Sequence, residues 1–501
     1  MTIAGAAQAA RTMPAPLARA PVLSAVGAQF VLLALTCAGY GYHRDELYFR
    51  MLRPGWGYLD QPPLTPLLAR LTKDLIADQV WALRIPAMLA SIGSVLLVAA
   101  IAREVGGGRV AQGLAAWGYA FAAFPLVAGH VLTTASIDAT VWLAVLLLIV
   151  RAQLRDDTRC WLWAGVVVGV GLYNKLLIVV LLVALAAGVL ISGPRRLLVS
   201  RPVLAATAIA IVVGLPNVIY QARNGWPQFE FGRTLAEHNA GDVRVDMWSL
   251  LISMFGPPLV AVWGAGLVAL WRRPQWRSIR FLVPALPALL VLVFVMGSQP
   301  YYEFGLVAAL FAIGCVPTAD WLARGGPGRL VTVVVLGVVN AVIAALVALP
   351  LVPLDDLGAT PIAGLNQTVG DTVGWPAYVR QVAAAYRGVP AVQRATTTIV
   401  ASNYGEAGAI DRYGPALGLP RVYSGQNQLY FQGRPPDSAT TAVVVGGQVD
   451  DARGLFRSCR PAGKLDNGVD VDNEEQGEPI VVCRGPIGGW AAVWPKFKHE
   501  D

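Results

Sequence analysis

Four consecutive ionisable residues, His43 to Glu46, follow the first long apolar run of the chain, in the sequence Tyr42-His-Arg-Asp-Glu-Leu-Tyr-Phe49. A carboxylate in such a segment can act as a general base that removes a proton from an acceptor hydroxyl. Asp45 and Glu46 are adjacent, so on a helix they project about 100° apart and only one of them can face a given cavity. The alternative is a solvated helix cap, which needs only one carboxylate. The pattern therefore predicts separate roles for the two acids.

A third carboxylate, Asp138, lies at the start of another apolar run, in Thr133-Thr-Ala-Ser-Ile-Asp138. A charged group near the end of a membrane helix is costly unless it faces water or a partner. Capping of the helix N-terminus explains the residue equally well, because anions are favoured at that end of a helix. Both interpretations stay open, and they are compatible.

Several cations and hydroxyl groups lie at similar positions along the apolar runs. Lys175 stands between two such runs, and Arg84 and Arg223 flank others. One such cation would be a membrane anchor, but together they suggest a phosphate site. Tyr301 and Tyr302 add hydroxyl donors, although the aromatic belt of membrane proteins is the stronger explanation for that pair.

The elements that must position these groups are membrane helices. The chain has 501 residues, of which 55% are apolar and 14% charged, and its mean hydropathy is +0.55. Because one crossing needs roughly 20 apolar residues, we expect about eleven membrane-spanning helices. The segments lie near residues 22–40, 81–102, 110–131, 137–150, 160–173, 175–192, 203–221, 247–270, 281–297, 302–317 and 330–353.

Arginines in the short connections predict the orientation. By the positive-inside rule these connections face the cytoplasm, and they include residues 103–109, 151–159, 195–201, 272–280 and 324–329. Arg11 and Arg19 place the N-terminus on the same side, and the first run is expected to be a retained helix and not a cleaved signal peptide. An odd number of crossings then places residues 355–501 outside the cytoplasm, with the outer loops 41–80 and 222–246.

Residues 355–501 differ from the rest of the chain in being polar and rich in Gly and Pro. We therefore divide the chain into a membrane domain, 1–354, and an extracytoplasmic α/β domain, 355–501. Short strands are expected near 397–401, 421–423, 441–445 and 479–483, with helices near 403–413 and 450–456. No phosphate-binding glycine loop or metal-ligand cluster occurs there, so no chemistry is expected of this domain. Pairing of Cys459 with Cys483 and two separate thiols are equally compatible with the sequence.

The net charge of +8 comes mainly from the arginines assigned to the cytoplasmic side. No basic stripe interleaved with aromatic residues is present, and nucleic-acid binding is excluded on that ground.

These sequence motifs resemble those of the GT-C glycosyltransferases, in particular the family 39 group. That group includes the protein O-mannosyltransferases and is similar to the aminoarabinose transferase that modifies lipid A. The matching segments are 42–49, Leu59-Asp-Gln-Pro-Pro-Leu-Thr-Pro66, 134–138, Gly171-Leu-Tyr-Asn-Lys175, Asn224-Gly-Trp-Pro227 and 300–302. They are distributed in the family's order over residues 22 to about 350.

The resemblance implies transfer of a sugar from a polyprenyl-monophosphate donor, with inversion, to an acceptor at the outer face of the cytoplasmic membrane. The candidate catalytic residues are Asp45, which takes the family's catalytic position, its neighbour Glu46, and Asp138, which takes the second acidic position. Lys175 matches the family's lysine. The sugar is not specified, and the acceptor is a protein, a glycan or a lipid.

The leaving phosphate needs cations or donors for its developing charge. Lys175, Arg223, Tyr301 and Tyr302 are the candidates. The resemblance also leaves open a divalent metal held by Asp60 and by His238, a residue type that is more often structural. Gln61 replaces a lysine of the aminoarabinose transferase, which weakens the expectation of a phosphate contact there.

Two other functions compete with this one. A transporter or flippase of a lipid-linked or small substrate would share the many membrane helices, but paired broken helices and repeat symmetry are not apparent in the sequence. A non-catalytic relative that only binds a lipid or a protein is the other alternative, and the intact pair of Asp45 and Glu46 argues against it.

Overall fold

The computed structural model describes residues 14–297 and 299–500, so Arg11 lies outside the described residues. The chain divides into two compact units. The first, here called the helical unit, comprises Met1–Leu35, Gln61–Leu64 and Pro86–Ala345; the second, the sheet unit, comprises Thr36–Asp60, Thr65–Ile85 and Leu346–Asp501. Loop 41–80 was predicted to belong to the membrane domain, whereas most of it belongs to the sheet unit.

Long helices account for most of residues 19–348. In chain order they are α1 (Arg19–Thr36), α2 (Arg44–Met51), α3 (Leu64–Leu75), α4 (Val80–Glu104), α5 (Arg109–Ala120), α6 (Ala123–His130), α7 (Thr134–Arg155), α8 (Thr158–Gly171), α9 (Ile178–Ser192), α10 (Arg201–Arg223), α11 (Pro227–Ser253), α12 (Pro257–Arg272), α13 (Leu282–Met296), α14 (Phe304–Ala323) and α15 (Pro327–Ala348). Short 3-10 turns lie at Arg195–Val199 and Pro274–Ile279.

Each of the eleven predicted apolar segments is helical, but not all are long enough to be a straight crossing. Within residues 14–297 and 299–500, seven helices have the length and apolar composition to cross a membrane, or nine if each bent pair is one span. The bent pairs are α5 with α6, at 56°, and α11 with α12, at 89°. The predicted segments 110–131 and 247–270 are each bent, because the chain breaks at residues 121–122 and again at 254–256.

The expected outer loop 222–246 is also mostly helix. Pro227 occupies the first turn of α11, where a proline is well tolerated because its missing N–H would have no helical partner. The helix then continues to Ser253, and Gly256, with a φ of +92°, precedes α12. A polar sequence was interpreted as a loop because it lacks an apolar run.

The helical unit packs around α14, whose residues from Phe304 to Val316 are all buried. Glycines permit the closest approach: a Cβ atom on Gly314 would collide with the carbonyl oxygen of Val262 in α12, and one on Gly266 with that of Leu310. Dispersion contacts of this kind hold membrane helices together, because burial from lipid supplies no hydrophobic driving force.

The sheet unit contains a five-stranded sheet in the order β2-β1-β3-β5-β4. The strands are β1 (Thr397–Ala401), β2 (Val422–Ser424), β3 (Thr441–Val445), β4 (Phe456–Lys464) and β5 (Pro479–Pro486). Both β2 and β3 pair parallel with β1, whereas β5 pairs antiparallel with β3 and β4. The helices are α16 (Leu354–Leu357), α17 (Ile362–Leu365), α18 (Gln367–Gly370), α19 (Trp375–Arg387), α20 (Ala391–Arg394), α21 (Tyr404–Tyr413), α22 (Asn427–Phe431), α23 (Val449–Arg453) and α24 (Trp490–Val493). The α/β prediction is confirmed.

Cys459 and Cys483 are bonded as a disulfide. They lie directly opposite each other on β4 and β5, so the bond crosses between neighbouring strands. This settles the choice that remained open from the sequence. Among the described residues, Cys37, Cys160 and Cys315 form no disulfide.

Candidate active site

Helix α2 carries the acidic pair and begins with a capping box. His43 is the N-cap: its Nδ1 accepts from the backbone N–H of Asp45 at 3.1 Å, and the backbone N–H of His43 donates to Glu46 Oε2 at 2.8 Å. These bonds satisfy N–H groups that the first turn of a helix leaves without partners. The eight-residue helix is therefore fixed at its start by its own side chains.

Glu46 is committed to a buried ion pair. Its side chain is 0% exposed, and Arg84, at 1%, donates to it through Nε at 3.0 Å and Nη2 at 3.2 Å. Arg84 also donates to the carbonyl oxygens of Cys37 and Gly41. The suggestion that Arg84 contributes to a phosphate site was wrong, because its guanidinium is already occupied by one carboxylate and two carbonyl groups.

Asp45 is only half-buried, whereas its neighbours from Tyr42 to Phe49 are buried. The hydroxyl of Tyr404 donates to Asp45 Oδ1 at 3.1 Å. Within the described residues, the carboxylate receives no other hydrogen bond from the protein. As predicted, adjacent positions on the helix give the two acids different surroundings: Glu46 points into protein, and Asp45 keeps an accessible oxygen.

The residues before Asp45 are held by acids from the C-terminal part of the sheet unit. Arg44 pairs with Glu474 and lies 3.8 Å from Glu475. His43 Nε2 lies 3.6 Å from Asp371 Oδ2. Burial opposes the charged form of His43, but the hydrogen bond to Asp371 and the surrounding carboxylates outweigh it and raise the pKa of the imidazole. The amide of Asp45 already donates to Nδ1, so in the neutral ring the proton lies on Nε2, facing Asp371.

A fourth buried acid, Glu406, lies in the first turn of α21. Its Oε2 accepts from the backbone N–H groups of Ser402 and Asn403. Its Oε1 has no hydrogen-bond partner among the described residues. Burial, with the charge of Glu475, raises the pKa of Glu406 to about 8. This carboxyl group therefore keeps its proton at neutral pH.

Asp60 was predicted as a metal ligand and is a partly buried acid of the sheet unit. Burial is the main reason that its pKa is raised to about 7, and the nearby hydroxyl of Tyr48 partly opposes this shift. Its Oδ1 is unpartnered among the described residues, so one ligand oxygen is available. However, no group of three or more His, Cys, Asp or Glu side chains suited to a metal occurs in the described part of the chain. A resident metal is therefore not assigned any step below.

In the helical unit, Asp138 lies one turn into α7, whose cap is made by Thr133 and Ser136. Asp138 therefore does not close the capping box. The side chain is buried, with 8% of the residue exposed, and its Oδ1 has no hydrogen-bond partner among the described residues. Trp142 and the charge of Lys175 are its polar neighbours.

Lys175 and the two predicted tyrosines come together in the same unit. The ammonium nitrogen of Lys175 lies 3.3 Å from the hydroxyl of Tyr301. It is also 5.2 Å from the ring centroid of Tyr301 and 4.7 Å from that of Tyr302. Aromatic faces stabilise a cation without neutralising it. This cluster thus retains a positive charge and a hydroxyl donor that suit an anionic group.

The turn that presents Lys175 is anchored on both sides. The side chain of Asn174 donates to the carbonyl of Thr134 at 2.9 Å, and Asn217 donates to that of Leu172 at 2.8 Å. The backbone N–H of Leu64 donates to Tyr173 at 2.8 Å. These bonds join the turn to the start of α7, to α10 and to the segment that follows Gln61.

Two predicted residues do not join this cluster. Arg223 is exposed at the last position of α10, and in the described structure it makes no hydrogen bond with Lys175, Tyr301 or Tyr302. His238 is exposed on α11, and its Nδ1 lies 2.8 Å from the carbonyl oxygen of Thr234 in its own helix.

Sequence reasoning did not identify Glu303, which directly follows the two tyrosines. Its side chain is completely buried, and neither carboxyl oxygen has a hydrogen-bond partner among the described residues. Such a group is costly unless it is protonated or meets a ligand. Its position next to Tyr302 was the available signal, since the carboxylate interrupts an apolar run.

The sequence profile described as "Dolichyl-phosphate-mannose-protein mannosyltransferase" matches residues 60–220, which include Asp60, Asp138 and Lys175. Comparison with curated protein sequences gave no match.

The fold has close counterparts among solved structures. The crystal structure of ArnT from Cupriavidus metallidurans bound to undecaprenyl phosphate superposes with a TM-score of 0.63 at 16% identity, covering 92% of this chain and 97% of that one. The apo form of the same protein gives 0.63 at 15% identity, with the same coverage. An oligosaccharyltransferase from Archaeoglobus fulgidus matches with a TM-score of 0.49 at 13% identity, covering 80% of this chain and 63% of that one.

The fold matches that of ArnT, and the apolar helices indicate a multi-pass membrane protein. The comparisons confirm the predicted resemblance: the chain is similar to the protein mannosyltransferases over residues 60–220 and to ArnT over nearly its whole length.

Proposed function

We propose that this protein is an inverting glycosyltransferase that transfers a sugar from a polyprenyl-monophosphate donor to an acceptor hydroxyl. The observation that carries the proposal is the hydrogen bonding of the Asp45 carboxylate. One oxygen accepts from Tyr404, and the other receives no hydrogen bond from the described residues. An accessible, oriented carboxylate is what the base of such a reaction requires.

The proposed reaction is a single displacement. Asp45 Oδ2 takes the proton of the acceptor hydroxyl while the acceptor oxygen forms a bond to the anomeric carbon. The bond from that carbon to the phosphate oxygen breaks, and polyprenyl phosphate leaves with the electron pair. Attack from the side opposite the phosphate inverts the anomeric centre through an oxocarbenium-like state.

The leaving phosphate gains charge as the bond breaks, so it must meet a cation or hydrogen-bond donors. Lys175, with the hydroxyl groups of Tyr301 and Tyr302, is assigned this role. The charge of Asp138 attracts Lys175, and we assign Asp138 the task of orienting the ammonium group. Glu46 is assigned a structural role, because Arg84 neutralises it in a buried pair.

The reaction is placed at the outer face of the cytoplasmic membrane. Two observations support this location: arginines concentrate in the connections assigned to the cytoplasm, and the sheet unit contains a disulfide, which persists in oxidising compartments. The N-terminus is then cytoplasmic and the C-terminal sheet extracytoplasmic. The similar ArnT was crystallised with undecaprenyl phosphate bound, which supports a lipid phosphate as the carrier. The acceptor is a protein, a glycan or another lipid.

The proposal is tested by Asp45→Asn in the purified full-length protein, with a panel of tritiated undecaprenyl-phosphate sugars and envelope fractions as acceptors. Loss of the base should lower transfer by roughly 10²- to 10⁴-fold. Binding of undecaprenyl phosphate should remain within about twofold of the original protein, because the assigned phosphate ligands are unchanged.

Asp74→Asn is the matched control, since Asp74 is an exposed acid of the same unit that pairs with Arg70 in its own helix. It should leave transfer unchanged. Full transfer by Asp45→Asn would contradict the proposal. A variant that transfers no sugar but still moves a lipid-linked substrate across vesicle membranes would also contradict the proposal, because that result would indicate a transporter.

A further inference from the structure

Tyr404 is the first residue of α21 and comes from a part of the chain in which no sequence motif predicts chemistry. It is separated from Asp45 by 359 positions, yet its hydroxyl donates to Asp45 Oδ1 at 3.1 Å. Both residues belong to the sheet unit. The bond therefore joins the proposed catalytic carboxylate to the C-terminal α/β fold within one compact body.

The ring and the backbone of Tyr404 are both held by neighbours. The ring centroid of Tyr48 lies 4.8 Å away, and the guanidinium carbon of Arg44 lies 4.9 Å from the Tyr404 centroid. The backbone N–H of Tyr404 donates to Gln426 Oε1 at 2.5 Å. With ring and backbone both held, the hydroxyl can reach only a narrow set of positions.

The two helices involved approach each other closely. A Cβ atom on Gly408 of α21 would lie 2.7 Å from the backbone carbonyl carbon of Leu47 in α2. Any larger residue at 408 would therefore push α21 away from α2. This contact brings the first turn of α21 within hydrogen-bonding distance of Asp45.

The hydroxyl of Tyr404 is a donor and not an acceptor. Burial, followed by the charge of Asp45, raises the pKa of Tyr404 well above its ordinary value, so the group keeps its proton. Its single proton is directed at Oδ1, and Oδ2 remains for the acceptor. A hydrogen bond to the charged form of a carboxylate favours that form.

We propose that Tyr404 is a positioning residue that, through its hydrogen bond to Oδ1, orients the free oxygen of Asp45 toward the acceptor hydroxyl. The C-terminal domain thereby takes part in the reaction through the proposed base. This inference rests on the proposed function, since it assigns Asp45 as the base. The general principle is that catalytic groups need neighbours that lock their rotamers.

The primary test is Tyr404→Phe in the full-length protein, which keeps the ring contacts with Tyr48 and Arg44 and removes only the hydroxyl. Losing a hydrogen bond to a charged group should lower kcat by roughly 10- to 100-fold. The KM for the undecaprenyl-phosphate sugar should stay within about twofold, because Tyr404 does not bind the donor. The acid limb of the pH–rate profile should shift to higher pH, since ionised Asp45 loses a stabilising donor.

Tyr386→Phe is the matched control. Tyr386 is a tyrosine of the same unit whose hydroxyl donates to the carbonyl of Arg394 at 3.3 Å. It should change neither kcat nor the pH–rate profile. A shift of the acid limb is the readout that a purely structural role for Tyr404 would not produce.

A second measurement does not depend on how well the phenylalanine variant folds. Fluorotyrosine incorporated at position 404 has a more acidic hydroxyl and is a stronger donor, so the acid limb should move to lower pH. A wild-type kcat and an unshifted profile in both variants would overturn the inference.

Asp45→Asn separates this inference from the function on which it rests. If that variant is inactive, adding Tyr404→Phe should cause no further loss, because the hydroxyl acts only through Asp45. If the Asp45→Asn protein were active, the proposed function itself would be refuted. If Asp45→Asn were inactive and Tyr404→Phe had normal activity, only the role of Tyr404 would be refuted.

Discussion

The starts of α2 and α7 both carry an acid near a helix N-terminus, but the two acids are held in different ways. In α2, His43, Glu46 and Arg84 form a closed set of hydrogen bonds, and Asp45 receives a donor from Tyr404. In α7, Thr133 and Ser136 make the cap, and Asp138 has one oxygen without a hydrogen-bond partner among the described residues.

The difference separates charges that are paired within the protein from a charge that lacks a full set of partners. A buried ion pair such as Glu46 with Arg84 adds little net stability, yet removing one partner leaves a buried charge that is very costly. A buried acid without a full set of partners already carries that cost. The α2 cluster should therefore be sensitive to substitution in its stability, and the α7 cluster mainly in its activity.

The largest expected effect is that of Arg84→Met. It leaves Glu46 buried and unpaired, so we expect the free energy of unfolding to fall by about 3–5 kcal/mol. Thermal unfolding in detergent micelles would measure the change. Arg70→Met, which breaks an exposed pair with Asp74, is the control and should cost no more than about 0.5 kcal/mol. Equal melting temperatures for the two variants would show that breaking the buried pair costs no more than breaking the exposed pair.

Asp138→Asn, unlike Arg84→Met, should lower activity and not stability. The substitution removes a buried charge that has few partners, so the melting temperature should be equal to or above that of the original protein. Transfer should fall by at least about tenfold, because Lys175 loses the charge that is proposed to orient it. Measuring both quantities on one preparation decides the matter: a destabilised variant with normal transfer would show that Asp138 has only a structural role.

Glu406→Gln should have the smallest effect and concerns the pH dependence of stability. In the folded protein the pKa of Glu406 is about 8, against an ordinary value of 4.5. Between those values the folded state binds more protons than the unfolded state, so stability falls as pH rises through this window. Glutamine keeps an acceptor for the N–H groups of Ser402 and Asn403 but does not titrate. Melting temperatures measured from pH 5 to 9 should therefore decline less steeply in the variant, and an unchanged slope would count against protonated Glu406.

Much of the fold could be predicted from the sequence, because long apolar runs have few alternatives in a membrane. The exceptions have physical reasons. The bends at residues 121–122 and 254–256 occur without a loss of apolar character, and α11 is polar enough to resemble a loop. Strand β4 was not predicted because most of its residues are exposed, so no apolar run marks it.

The site was predictable only where its residues are close in sequence. His43 to Glu46 are adjacent, so the cap and the division between the two acids followed from helix geometry. The partners of these residues are distant: Arg84 is 38 positions from Glu46, and Tyr404 is 359 from Asp45. An isolated tyrosine in an α/β domain carries no local signal, so only the folded structure could show its contact.

The partition of the sheet unit has a consequence for how the protein is made. The segment that carries Asp45 leaves the ribosome early, whereas Tyr404, Glu474 and Glu475 are translated only after the intervening membrane helices. Until then, Arg44 lacks its acidic partners and Asp45 its hydroxyl donor. A nascent chain interrupted before residue 404 would therefore leave Asp45 without its hydroxyl donor, so the proposed active site can be complete only after the C-terminal domain has been translated.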